Sequence, residues 1–463
     1  MSKSDVRKFT EDQVKNLYAD VHSYILQRWA PRPGYEPPIV VKEKGLDFWD
    51  ARGKKWLDFQ SQLFNVNIGM HNKKVIEACK KQLDELVYAS PTYPTLPKIK
   101  LCKKLAQIAP GDLCKTFLSN SGTEAIETAL KLAILYKERK KIIGLWRAYH
   151  GSTFGAMSIG GSKWVRSPTL PLIAEFDHIP PPYCYRCPFD MDYPSCGIQC
   201  AKNLKYVLEQ EAANSVAAFL GEPIMSGGGL LVPPDEYWPM IRKICDEKDI
   251  VLINDEVMTG FARTGKMFAP EHWNYAPDID VFAKGITSGY IPMGATMVNK
   301  RIADHFEDKS FGHSFTYSGH AVACTAALAT IDQYYELKLI DNCAKRGKYI
   351  MEGLKGIQER TSIIGDVRGK GLFLGIEMVK HRETKEGLAP LELVKPDPET
   401  NPMVYLQDRC SDEGLAFGMS MGGSIVRMTP ALIVIEEQID QALQIFEKAI
   451  NATEEKFSLP TKE

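Results

Sequence analysis

Leu252-Ile253-Asn254-Asp255-Glu256-Val257 is an apolar run that ends in two acids, and ligands of open parallel sheets bind at the carboxyl ends of strands. Further along, Val281-Phe282-Ala283-Lys284-Gly285 is a second apolar run, this one ending in a lysine. A lysine withdrawn from water is a nucleophile that forms Schiff bases. Earlier in the chain, Ser119-Asn120-Ser121-Gly122-Thr123-Glu124-Ala125 follows Phe117-Leu118 and opens the helical stretch Ala125 to Lys137. A helix amino terminus has free N–H groups and a positive dipole end, so Ser121, Gly122 and Thr123 suit a phosphate held by backbone and hydroxyl donors. Singly, these features are ordinary, because Ser and Thr are common helix caps and a lysine at a strand end usually faces solvent. Together they are what pyridoxal phosphate chemistry asks of a protein: an amine, a phosphate cradle and an acid against the pyridinium nitrogen.

The elements that must hold these residues are visible as a rhythm. From about Asn72 onward, helix-period stretches alternate with the short apolar runs Lys115–Leu118, Lys141–Leu145, Val216–Leu220, Ile250–Ile253 and Val281–Phe282. Buried strands separated by helices predict an α/β fold with a mostly parallel sheet flanked by helices. Before it, a helix is expected over Glu11 to Arg28, and Asp50-Ala51-Arg52-Gly53 between aromatic and aliphatic residues predicts a hairpin. After Thr316, Ala321 to Ala329 reads as a tightly packed helix, followed by a long helical segment to about Thr361. Asp366 to Met378 then reads as a turn and strand, with Gly369-Lys370-Gly371 as the turn, and a charged, proline-bearing region follows to Pro402. The expected division is residues 1–70 contributing to a smaller α+β domain, 71–330 forming the large domain and 331–463 completing the small one.

Composition narrows the alternatives. The 463 residues include 57 Lys+Arg and 58 Asp+Glu, too even a balance for the basic surface of a nucleic-acid binder. Hydrophobic residues at 44% and charged residues at 25% exclude a chain too polar to fold. Met1 to Asp20 holds no apolar stretch that would serve as a secretory signal, and no window approaches the length of a membrane span. Eleven scattered cysteines suit a reducing compartment. The expectation is a cytoplasmic protein that acts on neither nucleic acid nor membrane.

Six motifs then stand in a telling order. They are Ser121-Gly122-Thr123-Glu124-Ala125; Tyr149-His150-Gly151; Gly221-Glu222-Pro223; Asp255-Glu256-Val257 with Gly260-Phe261 and Arg263-Thr264-Gly265; Lys284-Gly285 with Gly289-Tyr290-Ile291-Pro292; and Phe315 to His320. From the hairpin around Gly53 to Arg427, the chain resembles the class III aminotransferases, pyridoxal phosphate enzymes of fold type I that include the ω-amino acid transaminases. The resemblance implies a large domain with a mostly parallel sheet plus a smaller α+β domain. It implies that Lys284 carries the cofactor and shuttles the proton, and that Asp255 keeps the pyridine nitrogen protonated. Tyr149 would stack on one ring face and Val257 press on the other, with His150 part of the same cofactor motif. Ser121, Gly122 and Thr123 would hold the phosphate, and Thr316 from a second copy of the chain would complete the cup, which implies a homodimer.

By the same resemblance, Arg427 in Gly422-Gly423-Ser424-Ile425-Val426-Arg427 binds a substrate carboxylate, a task suited to a planar guanidinium. Glu222 matches an acid that pairs with that arginine when the substrate has no α-carboxylate. Phe64 stands where many relatives have tryptophan, and Ser152 where relatives often have arginine, so the substrate walls differ from theirs. The activity expected is transfer of the amino group of a small ω-amino acid or amine, of the taurine, β-alanine or 4-aminobutyrate kind, to pyruvate or 2-oxoglutarate. An ammonia- or phospho-lyase, an epimerase or a decarboxylase on the same scaffold is the alternative. Cys184, Cys187, Cys196 and Cys200 have the number of thiols a zinc site uses, but the second pair is looser than a zinc knuckle. No metal is assigned.

Overall fold

The computed structural model describes residues 7, 9–26, 36–212, 214–389, 397–420 and 424–459. Its central sheet has seven strands: β1 (Leu113–Ser119), β2 (Lys141–Leu145), β3 (Phe176–Ile179), β4 (Val216–Gly221), β5 (Val251–Asp255), β6 (Ile279–Phe282) and β7 (Gly294–Asn299). Across the sheet they run β1-β7-β6-β5-β4-β2-β3. Only β7 runs against its neighbours, so the sheet is mostly parallel. Every residue of β4, β5 and β6 is buried, as their nearly continuous apolar sequences require of strands covered on both faces. The helix Gly122–Lys137 covers one face, setting Ala125, Ile126, Ala129 and Ala133 against Ala218, Ile253 and Val281.

Strand register brings the chemistry together. β5 and β6 pair Asn254 with Asp280 and Asp255 with Val281. Asp255 ends its strand and Lys284 follows the end of the next, so both reach the same edge of the sheet.

A second sheet carries Arg427. It contains Ile364–Lys370, Phe373–His381, Gly418–Met419 and Ile425–Met428, with Glu386–Gly387 paired to the second of these. Of the expected turn Gly369-Lys370-Gly371, Gly369 and Lys370 instead end the paired strand that includes Asp366, and the turn falls at Gly371 (φ 57°). Arg368 and Glu377 explain the difference, because their bond across the hairpin (2.8 Å) holds the polar segment to its neighbour. The third sheet joins the two ends of the chain: Val40–Lys44, Asp47–Asp50 and Lys55–Asp58 are antiparallel, and Leu415–Ala416 adds in parallel to the last. The hairpin turn at Gly53 (φ 79°) is fastened by Asp50 Oδ1, which accepts from the backbone N–H groups of Arg52 and Lys54 at 3.0 Å.

Two expected helix boundaries move. The first helix spans Glu11–Tyr24, and Ile25 is already extended; Arg28 lies outside the described residues. The helical stretch after Ala321 is two helices, Ala321–Glu336 and Leu339–Arg360, broken where Lys338 takes φ 51°. Residue 330 therefore lies inside a helix, and Lys338 is the next interruption.

Candidate active site

Asp255 is 4% exposed and both of its oxygens are engaged. Oδ1 accepts from the backbone N–H of Val257 at 2.9 Å, and Oδ2 lies 2.7 Å from Nδ1 of His150. The other ring nitrogen of His150, Nε2, is buried with no partner. A donating Nδ1–H keeps the carboxylate aimed.

Lys284 is half-buried and takes φ 44°, an uncommon conformation for a residue with a side chain. Its carbonyl accepts from the N–H groups of Ser288 (2.9 Å) and Thr287 (3.3 Å), so the following turn fixes the bend. Burial lowers its amine to about 8; Asp255 and Glu222 act to raise it, and Arg427 acts to lower it. These three side chains are thus the charges that surround the amine.

At the amino end of the helix Gly122–Lys137, Ser121 is the cap and its Oγ accepts from the N–H of Glu124 at 3.3 Å. The hydroxyl proton of Ser121 and the N–H groups of Gly122 and Thr123 remain for a ligand. Thr123 is different at its hydroxyl: Oγ1 meets Thr153 Oγ1 at 2.8 Å, and Thr153 Oγ1 in turn donates to Glu127. With the Thr153 proton committed to Glu127, Thr123 gives its own to Thr153 and retains only its backbone N–H for an anion. A side chain on Gly151 (φ 143°) would put Cβ 2.1 Å from Thr123 Oγ1, so only glycine fits there. Gly122 is similarly close to Val257, whose methyl carbons would lie 3.1 Å from an added Cβ.

Glu222 is buried, and one of its oxygens accepts from the N–H (2.8 Å) and hydroxyl of Ser226 while the other accepts from the N–H of Tyr149 at 3.2 Å. Burial pushes its carboxyl up, opposed by His150 and reinforced by Asp255. Arg427 is 9% exposed; it donates to the carbonyl of Met419, and its guanidinium lies 4.5 Å from the Phe64 ring centre. Burial lowers Arg427 to about 10, so it remains a cation at neutral pH. Among the described residues no ion pair joins Glu222 to Arg427. Gly422 and Gly423 of the arginine's motif lie outside the described residues. Phe64 takes φ 61° in a turn held by Asp58, whose oxygens accept from the N–H groups of Gln60 (2.9 Å) and Gln62 (2.7 Å).

Tyr149 is half-buried beside these groups, and its hydroxyl meets Ser152 Oγ at 3.2 Å. Thr316 is exposed, and its carbonyl accepts from the Tyr88 hydroxyl at 2.8 Å. Sequence reasoning missed Ser226, Thr153, Glu127 and the Met419 carbonyl. Only Ser226, opening a glycine-rich turn, carried a local signal. Cys184, Cys187, Cys196 and Cys200 line one cleft as free thiols. Among the described residues, no group of three or more His, Cys, Asp or Glu is arranged to hold a metal.

This site fits pyridoxal phosphate: it has a withdrawn amine, an acid with a histidine donor behind it, and free N–H groups at a helix start whose Gly122 packs against Val257 and Ala283, next to that acid and that amine in the chain. The comparisons agree. The profile of the family described as Aminotransferase class-III matches residues 31–450. A leucine/methionine racemase of Thermococcus litoralis is 36% identical over 92% of this chain and 93% of its own. A taurine–pyruvate aminotransferase of Bilophila wadsworthia is 36% identical over 94% of this chain and 97% of its own. Among solved structures, the taurine:2-oxoglutarate aminotransferase of Bifidobacterium kashiwanohense, in complex with PLP and glutamate, superposes with a TM-score of 0.88 at 32% identity, covering 95% of this chain and 98% of that one.

The chain belongs to the class III aminotransferase family. It is a pyridoxal-phosphate-dependent aminotransferase of fold type I.

Proposed function

We propose that this enzyme moves the amino group of a small ω-amino acid or amine, of the taurine, β-alanine or 4-aminobutyrate type, to pyruvate or 2-oxoglutarate. The observation that carries this reading is the arrangement of Glu222 and Arg427. A buried acid and a buried cation both act on the Lys284 amine, yet each is held by its own partners and neither closes on the other. Such a pocket offers a cation to a carboxylate or sulfonate, and its acid remains available to neutralise that cation when a donor brings no such group.

Pyridoxal phosphate, when bound, supplies the electron sink that makes the substrate carbon acidic. Asp255, oriented by His150, holds the proton of the cofactor's ring nitrogen. Ser121 Oγ and the N–H groups of Gly122 and Thr123 bind the phosphate. Val257 and Tyr149 orient the ring from its two faces. Lys284 Nζ takes the proton from the substrate carbon and returns it one position away, a role suited to an amine near neutrality. Arg427 holds the acceptor's carboxylate, with Phe64 as the wall beneath the guanidinium.

The reading includes a cytoplasmic homodimer in which a second copy's Thr316 completes the phosphate cup. What supports the pairing is the exposure of Thr316 beside the exposed rings of Tyr88 and Tyr317, 6.0 Å apart. Sedimentation tests it: a dimer that loses cofactor on Thr316→Ala supports the shared cup, and a monomer that holds cofactor tightly contradicts it.

One observation favours a second reading, epimerisation, namely the similarity to a racemase. Mixing holoenzyme with single enantiomers of leucine and methionine, without a 2-oxo acid, separates the two. Loss of optical purity over many turnovers supports racemisation; stalling after one turnover supports transamination.

A further inference from the structure

Asn254, Glu256 and Asp280 share the face of the central sheet opposite Asp255, because side chains alternate along a strand and Asn254 pairs with Asp280. Glu256 and Asp280 are both 0% exposed. Glu256 Oε2 accepts from the Thr259 hydroxyl (3.1 Å) and the N–H of Ala269 (2.8 Å). Asp280 Oδ1 accepts only from the N–H of Val281, at 3.1 Å. The remaining oxygens, Glu256 Oε1 and Asp280 Oδ2, have no donor, although the two carboxyl groups lie within hydrogen-bonding reach of each other. No lysine or arginine pairs with either among the described residues.

Two buried acceptors facing each other repel unless a proton lies between them. The surrounding groups do not relieve the repulsion. Asp255 on the opposite face, Glu271 in the turn beyond β5 and Tyr275 beside Asn254 all act on the pair or are acted on by it, and none is a cation. Glu256 has two donors and Asp280 one, so Glu256 bears the charge better.

We infer that Asp280 is a protonated carboxylic acid in the working enzyme, that it donates to Glu256 Oε1, and that this acid pair braces the ends of β5 and β6. The brace rests on the reading of Asp255 and Lys284 as the groups it positions. Glu256 also bonds the β6 backbone directly, its N–H donating to the Val281 carbonyl at 2.9 Å. Backbone and side chains of residues 256 and 280–281 thus tie together the strand ends that carry Asp255 and Lys284. Both acids act here as positioning residues.

The test is infrared difference spectroscopy of the holoenzyme at neutral pH, wild type against Asp280→Asn. The asparagine amide donates to Glu256 Oε1 with no ionisable proton, so the fold is kept while the acid is removed. A carboxylic acid carbonyl band, shifted in D2O and missing from Asp280→Asn, is expected; identical spectra would overturn the assignment. Asp280→Ala, which leaves Oε1 without a donor, should retain cofactor roughly tenfold less well, whereas Asp280→Asn should match wild type. Equal retention in all three would overturn the brace. The infrared band does not depend on substrate, so it stands or falls apart from the choice of amino donor.

Discussion

His150 Nδ1 and Asp255 Oδ2 lie 2.7 Å apart, bringing together residues 105 positions distant in sequence. The contact places a hydrogen-bond donor behind the acid proposed to face the cofactor nitrogen, so the carboxylate is oriented before a cofactor arrives. His150→Ala removes that donor from a buried carboxylate. Cofactor retention should fall roughly tenfold, the effect of losing one charge-assisted bond. His150→Asn, which can still donate, should recover part of it; equilibrium dialysis against pyridoxal phosphate checks both.

The Lys284 amine should control how fast cofactor is captured. Only the neutral amine is a nucleophile, and burial lowers the group to about 8. Capture by apoenzyme should therefore rise with pH around a midpoint near 8, not near the ~10.4 of an ordinary lysine. Arg427 acts to lower the amine, so Arg427→Ala should move the midpoint to higher pH. Stopped-flow absorbance across a pH series measures both positions.

How much of this was legible in the sequence follows from how local each signal is. Asp255 and Lys284 could be read because acidic and basic residues closing apolar runs mark strand ends facing a ligand. The phosphate loop could be read because its cap and its helix are adjacent in sequence. Glu222, Arg427 and Phe64 needed resemblance, since the elements that carry them meet only in the folded chain. The Thr153–Glu127 bonds that commit the Thr123 hydroxyl, and the Met419 carbonyl beneath Arg427, left no local trace. Asp280 did leave one: an acid inside the otherwise apolar strand Ile279–Phe282 needs a reason to be buried.

Gly151 should tolerate no side chain. Alanine there must accept φ 143° and a 2.1 Å approach to Thr123 Oγ1. Backbone strain of about 1–3 kcal/mol is expected, appearing as a lower melting temperature and weaker phosphate retention. Calorimetry of apo and holo forms separates the two effects, because strain lowers both forms alike whereas weaker phosphate retention lowers only the holo form further.

Arg427→Lys keeps the charge and loses the planar fork. The KM for the 2-oxo acid should rise roughly tenfold or more, while a donor without a carboxylate should be affected less. Steady-state kinetics with 2-oxoglutarate against a simple amine donor reads the contrast. An equal rise for both would mean that the guanidinium serves packing against Phe64 alone.

The proposed function has this site transfer an amino group between a small amine donor and a 2-oxo acid. The most direct measurement mixes holoenzyme with taurine, β-alanine, 4-aminobutyrate and simple amines, without acceptor, and follows cofactor absorbance and ammonia together. Amino-group transfer gives stoichiometric conversion to pyridoxamine phosphate with at least one donor, reversed by pyruvate or 2-oxoglutarate, and no ammonia. Continued ammonia release with the cofactor spectrum restored would show that the site runs an elimination, contradicting the assignment of amino-group transfer.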